Sequence, residues 1–128
     1  MINIPSTVKI AGVTYNVKRE EKPFIGNNAI VDGTFDYVEQ ELRIARTGSE
    51  TYQQIVFLHE VLHGLIESYC SNLLSFETEE KLVEQLSKGL FQFIADNPGV
   101  FVDRDLYRTK YFGKWVENDA EDNKNDDP

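Results

Sequence analysis

The chain has 128 residues, of which 41% are hydrophobic and 27% are charged, the composition of one folded domain that needs no disulfide. Its net charge of −9 argues against nucleic acid as a partner, because phosphate groups repel an acidic surface. The single cysteine, Cys70, excludes an intrachain disulfide and favours a reducing compartment. The N-terminal residues lack a signal-peptide pattern and no apolar run is long enough to span a membrane, so we expect a cytoplasmic protein with no membrane partner.

The first 46 residues carry short runs in which apolar and polar side chains alternate, a pattern typical of half-buried strands. Ala11 and Gly12 separate the first two runs and indicate a turn, and Gly33 is a candidate bulge within the third. Four strands are expected, over residues 8–10, 13–17, 29–37 and 42–45. Together they predict a small antiparallel sheet at the N-terminal end of the domain.

Beyond residue 46 the periodicity of the apolar residues becomes helical. Ser49 is a candidate N-cap, because its hydroxyl can accept a hydrogen bond from a free N–H group of the first helical turn. The first helix is expected over about 51–69, with an apolar face made of Ile55, Leu58, Leu62, Leu65, Ile66 and Tyr69. A narrow polar strip remains on its surface, containing His59, Glu60, His63, Gly64 and Glu67.

A second helix is expected over about 78–96, with an apolar stripe made of Leu82, Val83, Leu86, Leu90, Phe93 and Ile94. Pro98 and Gly99 end it, because neither residue favours continuation of a helix. The sheet and the two helices predict an α+β fold in which the sheet packs on the helices, within one domain over residues 1–116. Residues 117–128 hold six acids and one lysine and predict a disordered acidic tail.

The strongest chemical signal is the run His59-Glu60-Val61-Leu62-His63, an HExxH motif. His59 and His63 are four residues apart, so on a helix both imidazoles project from one face and can bind one Zn²⁺ at about 2.0–2.1 Å. Glu60 lies beside them, where it can take a proton from an activated water and pass it to a leaving amine. This pattern is that of zinc metallopeptidases. The alternative is two histidines at the edge of the core beside a solvated glutamate.

A catalytic zinc needs a third protein ligand and one open position. The chain has no third histidine, and Cys70 is expected to project toward the apolar side of the first helix. The second helix supplies carboxylates instead, and the candidates are Glu77, Glu79, Glu80 and Glu84. We expect Glu80 to be the ligand because it lies at the flank of the apolar stripe, beside the packed interface, and Glu84 and Glu79 remain alternatives.

Two other residues of the polar strip have alternative explanations. Gly64 costs a helix roughly 1 kcal/mol relative to alanine, which either the close approach of another backbone or simple tolerance would explain. Glu67 follows His63 by one helical turn. It is either a hydrogen-bond partner of a zinc-binding imidazole or a plain exposed glutamate.

Several segments occur in an order that resembles small phage and prophage zinc metallopeptidases, which are similar to the ImmA/IrrE-like peptidases and more distantly to the gluzincins. The segments are Ile4-Pro5, Val8-Lys9-Ile10-Ala11-Gly12-Val13-Thr14-Tyr15, Gly33-Thr34-Phe35-Asp36-Tyr37, Leu58-His59-Glu60-Val61-Leu62-His63, Glu80-Lys81-Leu82-Val83, Leu90-Phe91-Gln92-Phe93 and Asp96-Asn97. The resemblance covers roughly residues 4–100, and HExxH is its one sharply specific part.

The resemblance implies a minimal zincin-like domain whose edge strand, within residues 33–44, aligns an extended peptide above the zinc. It implies His59, His63 and Glu80 as the metal ligands and Glu60 as the catalytic base. The predicted function is therefore a zinc-dependent peptidase of phage type, acting on a peptide or protein substrate. The alternatives are a non-catalytic zinc-containing module that binds a phage or host protein, and a zinc-free helical adaptor.

Overall fold

The computed structural model of the chain describes residues 2–26 and 29–100, in which six strands precede two helices. The strands are β1 (Thr7–Ile10), β2 (Val13–Glu20), β3 (Phe24–Gly26), β4 (Ala29–Val31), β5 (Gly33–Asp36) and β6 (Glu41–Ala45). The helices are α1 (Glu50–Tyr69) and α2 (Phe76–Asp96). This layout of a small sheet followed by two helices confirms the α+β fold class that the sequence predicts.

Four strands form one sheet in the order β1-β2-β6-β5, and β3 and β4 pair as a separate two-stranded ribbon. β1 and β2 form a hairpin around Ala11 and Gly12, whose φ angles of 52° and 82° are left-handed and explain the glycine. β5 and β6 are also antiparallel, whereas β2 and β6 are parallel. The sheet is therefore mixed where an antiparallel one was expected, because the chain passes through the ribbon and β5 before β6 returns beside β2.

The strand expected over residues 29–37 is two strands, β4 and β5, divided at Asp32, and β3 lies where no strand was expected. Asp32 fixes this junction. Its carboxylate accepts hydrogen bonds from Thr47 Oγ1 at 3.1 Å and from the hydroxyl of Tyr52 in α1. Its backbone carbonyl accepts from the end of β6. Gly33 follows directly and pairs in regular register with β6, so it is not the expected bulge.

α1 begins where the sequence predicts, because the Ser49 side chain accepts a hydrogen bond from the Tyr52 N–H at 3.0 Å. The helix packs on the sheet, and the buried core between them consists of Val17, Leu42, Ile44, Val56, Phe57 and Leu58. Leu65 and Tyr69 are exposed, so the predicted apolar face is wrong at these two positions. The sheet instead covers the side of α1 that carries the buried residues Val56, Glu60 and Gly64.

α2 packs against α1, and its fully buried positions are Val83 and Ser87, at 0% and 1% exposure. From the predicted stripe, Leu90 and Ile94 pack against the core, whereas the side chains of Leu82, Leu86 and Phe93 are exposed. The buried face of α2 is thus rotated from the predicted one. A small hydroxyl residue, Ser87, occupies its centre, and its Oγ donates to the Glu84 carbonyl at 3.3 Å.

Residues Met1–Asp96 form one compact unit, and a second unit starts at Asn97. Of the second unit the structure describes residues 97–100, a turn in which the Val100 N–H donates to the Asn97 carbonyl at 3.0 Å. Neither α1 nor α2 combines the length and apolar character that crossing a membrane requires. The predicted acidic tail, 117–128, and the predicted domain end at residue 116 lie outside the described residues.

Candidate metal centre

The two histidines of the motif project from consecutive turns of α1 into the space between the two helices. Their ring centroids are 4.9 Å apart, with the ring planes at 64° to each other. The His59 side chain is 15% exposed and the His63 side chain 17%. Both side chains are therefore mostly, but not completely, shielded from solvent.

Glu80 of α2 lies opposite both imidazoles. Its Oε2 is 3.4 Å from His59 Nε2, and its Oε1 is 2.9 Å from His63 Nε2. One carboxylate thus faces the Nε2 atoms of both histidines, with one oxygen toward each ring.

These three residues fit a zinc ion by chemistry and by spacing. One ligand atom of each lies within 4.8 Å of the others, and together they offer two imidazole nitrogens and one carboxylate oxygen. Tetrahedral zinc with bonds of about 2.0–2.1 Å separates neighbouring donors by roughly 3.3 Å. The distances of 3.4 and 2.9 Å from the two oxygens of Glu80 to the two histidines lie close to that value.

The alternative ligands Glu79 and Glu84 occupy different places from Glu80. Glu79 Oε2 lies 2.7 Å from His63 Nδ1, which is a hydrogen-bonding distance. Glu84 Oε1 lies 3.5 Å from His59 Nδ1, and the other oxygen of Glu84 is 3.5 Å from Lys88 Nζ. Both carboxylates therefore contact the outer nitrogen of a ring, on the side away from the point where Glu80 meets the Nε2 atoms. Glu77 is exposed.

Glu60 follows His59 directly in α1 and is buried, at 6% exposure. Its carboxylate is packed against the first residue of β5, because a Cβ atom placed on Gly33 would come within 2.9 Å of Glu60 Oε2. The pKa of the Glu60 carboxyl is raised to about 7, chiefly by burial; His63 opposes the rise, and the nearby Glu80 adds to it. A carboxyl with a pKa near neutrality can both accept and donate a proton under ordinary conditions.

The pKa of His59 is lowered, first by burial and then by the charge of His63, while Glu80 and Glu84 oppose the change. A lowered pKa favours the neutral imidazole, which is the form that has a lone pair for a metal. The environment of His59 therefore favours a ligating state over a cationic one.

Of the other two residues of the polar strip, Gly64 faces the sheet and Glu67 is exposed. A Cβ atom on Gly64 would lie 2.8 Å from Phe35 Cε1 and 3.0 Å from Ile10 Cδ1. Gly64 thus permits a close approach of the sheet to α1. The approaching groups are side chains, however, and not the backbone that the first of the two explanations assumed. The carboxylate at hydrogen-bonding distance from His63 is that of Glu79, not that of Glu67.

Sequence reasoning missed two contributions to the site. It treated Glu79 as an alternative ligand and not as a hydrogen-bond partner, since helical spacing alone does not tell which ring nitrogen a carboxylate meets. It also missed Asp32, whose bonds to Thr47 and Tyr52 hold the start of β5 against α1. No local pattern marks that pairing, because its partners lie on separate elements.

In comparisons with protein-family models, curated proteins and solved structures, nothing matches this chain. What the site can do is therefore a question of its own geometry and chemistry.

Proposed function

We propose that this chain is a zinc-dependent peptidase in which His59, His63 and Glu80 hold the metal and Glu60 is the catalytic base. The observation that carries the proposal is the meeting of both histidine Nε2 atoms with one Glu80 carboxylate, at 3.4 and 2.9 Å. Catalytic zinc sites use three protein donors, and the ion held by these three residues would remain accessible to water or substrate. When bound, the zinc supplies Lewis acidity that lowers the pKa of a water and polarises the scissile carbonyl.

Glu60 handles the protons in this proposal. It is a neighbour of the ligands in sequence but is not one of the three donors, so its carboxylate is available to take a proton from the attacking water. It then passes that proton to the nitrogen of the leaving amine. Burial and the raised pKa, about 7, suit both steps, because the carboxylate is a stronger base than an exposed glutamate and its acid form persists near neutral pH.

The substrate in this proposal is an extended peptide lying along β5. β5 is the last strand in the order β1-β2-β6-β5, and the first of its residues, Gly33, touches Glu60. A peptide that adds to this edge by backbone hydrogen bonds would pass the proposed catalytic base. In strand addition the backbone hydrogen bonds supply the affinity, so many peptide sequences could bind. The cytoplasmic location, the phage-type origin and the absence of nucleic acid and membrane partners belong to the same proposal and rest on the sequence.

The experiment measures zinc content and peptide cleavage together. The purified chain should hold about one zinc per chain by elemental analysis, and the double variant His59→Ala/His63→Ala should hold none. Glu60→Gln should keep the zinc and lose the cleavage of unfolded protein substrates, because Glu60 is not a ligand.

A wild-type chain that holds no zinc would refute the metal site. Zinc retention without cleavage of any of a broad panel of phage and bacterial proteins would favour the non-catalytic binding module. Cleavage that persists in Glu60→Gln would refute the assignment of the base.

A further inference from the structure

The two nitrogens of the His63 ring meet two different carboxylates. Nε2 faces Glu80 Oε1 at 2.9 Å, and Nδ1 faces Glu79 Oε2 at 2.7 Å. These glutamates are consecutive residues at the start of α2, so a single helical turn contacts both edges of one imidazole. The shorter contact is the one on the side away from the proposed metal.

Glu79 is well placed to act on the ring and poorly placed to act on a metal. Its side chain is 21% exposed, against 48% for Glu80, so it is the more enclosed of the two carboxylates. An ionised carboxylate only accepts hydrogen bonds, so the 2.7 Å contact is a hydrogen bond when His63 Nδ1 carries a hydrogen. With Nδ1 carrying the hydrogen, the neutral ring has its lone pair on Nε2, directed at the point where Glu80 and His59 converge.

We propose that Glu79 is a positioning residue, which accepts a hydrogen bond from His63 Nδ1–H and so fixes the tautomer and the orientation of that ring. The inference rests on the proposed metal site and adds to it a carboxylate that binds no metal. Metal-binding histidines are commonly oriented by such an acceptor on their second nitrogen, and its loss typically weakens metal binding 10–100-fold.

The same arrangement is weaker at the other histidine. Glu84 Oε1 lies 3.5 Å from His59 Nδ1, beyond a good hydrogen bond, and Lys88 shares that carboxylate. His63 is therefore the firmly held ligand and His59 the more adjustable one. Glu84→Ala should affect zinc binding less than Glu79→Ala does.

The test combines zinc affinity with detection of the His63 Nδ1–H by nitrogen-15 NMR. In the metal-free wild-type protein this hydrogen should give a signal protected from exchange with water. Glu79→Ala should lose that signal and bind zinc roughly 10–100-fold more weakly in competition with a chelator. Glu79→Gln, whose amide oxygen still accepts, should keep the signal and lose less affinity. Glu77→Ala removes the same charge from an exposed position of the same helix and should change neither measurement.

Two results would overturn the inference. One is a metal-free wild-type protein without a protected His63 Nδ1–H. The other is a Glu79→Ala variant that binds zinc either as tightly as the wild type or more weakly than Glu80→Ala does, since the last outcome would make Glu79 the ligand. A wild-type protein that shows the protected hydrogen but binds no zinc would refute the proposed function and leave the hydrogen bond in place.

Discussion

Glu60 carries an energetic cost in the metal-free protein that follows from its burial. The carboxyl is 6% exposed, and its pKa in the folded chain rises from an ordinary 4.5 to about 7. Above pH 7 the folded chain must therefore hold a buried carboxylate, whereas the unfolded chain exposes it to water. Residues kept for chemistry often lower stability in this way.

We expect metal-free Glu60→Gln to be more stable than the metal-free wild type at pH 8. The pKa of Glu60 is higher in the folded chain than in the unfolded chain. Burial of this carboxyl therefore costs no stability below about pH 4.5, and the cost develops as the pH rises through about 7. This cost amounts to at most about 3 kcal/mol. Urea unfolding with a chelator at pH 5 and pH 8 measures it. An advantage of the variant that is equal at both pH values would contradict the expectation.

The three glutamates of α2 that approach the histidines should differ in their effect on zinc affinity. Glu80→Ala removes a proposed ligand and should weaken binding by more than the roughly 10–100-fold expected for loss of an orienting carboxylate. Glu84→Ala should have the smallest effect, because Glu84 is 3.5 Å from His59 Nδ1. Titrations against a competing chelator rank the variants. Tight binding by Glu80→Ala together with weak binding by Glu84→Ala would exchange their assignments.

At the scale of the secondary-structure elements, each helix contains a glycine, and the two have opposite surroundings. A Cβ on Gly64 of α1 would lie 2.8 Å from Phe35 and 3.0 Å from Ile10, both contributed by the sheet. A Cβ on Gly89 of α2 would meet nothing within 4 Å. The first glycine therefore sets how closely helix and sheet approach, and the second contributes no contact.

Gly64→Ala should destabilise the chain by about 1–3 kcal/mol, the usual cost of overpacking, partly offset by the better helix propensity of alanine. Gly89→Ala is the matched control and should stabilise the chain by up to about 1 kcal/mol, since only the propensity changes. Denaturant midpoints of both variants and of the wild type measure the two effects. Equal effects at the two positions would show that the closeness of the sheet to Gly64 is not a constraint.

The sequence predicts correctly those features of the elements that depend on residues close together in the chain. The Ser49 cap and the Ala11-Gly12 turn are correct because each depends on its neighbours in the chain. The buried faces of the helices are less well predicted, because the spacing of apolar residues along a helix does not show which of them another element covers. Gln53 is buried although polar, since Arg19 of β2 donates a hydrogen bond to it, and Leu65 is exposed although apolar.

The candidate site shows the same division. The spacing of His59 and His63 predicts their shared face, since a helix fixes it. The choice among the glutamates of α2 depended on where that helix packs, which the exposed Leu82 and the buried Ser87 show to be rotated from the expected stripe. The parallel pairing of β2 with β6 was beyond sequence patterning, because alternation of apolar residues is the same in both pairings.

At the scale of the whole molecule, the proposed zinc joins the two helices, α1 and α2. Its binding free energy adds to the stability of the folded chain, because the donors are brought together only in that state. The stability of the folded chain should therefore depend on the concentration of free zinc.

Removal of zinc should lower the melting temperature. At a free zinc concentration 100 times Kd the ion contributes about 2.7 kcal/mol, which corresponds to roughly 10 °C in Tm for a domain of this size. Thermal unfolding followed by circular dichroism, with and without a chelator, measures the change. His59→Ala/His63→Ala is the control and should show no response to zinc. A response of the same size in that variant would place the stabilising ion elsewhere.

The three proposed donors are His59, His63 and Glu80, all within one helical hairpin, whereas Glu60 owes its burial partly to Gly33 of the sheet. The loop that joins α1 to α2 is short, so its closure costs little entropy. The helical hairpin carries all three proposed donors. In the proposed function, the two helices bind the metal and the sheet helps to bury the proposed base, Glu60. Mutations in the sheet would then abolish cleavage while sparing zinc binding.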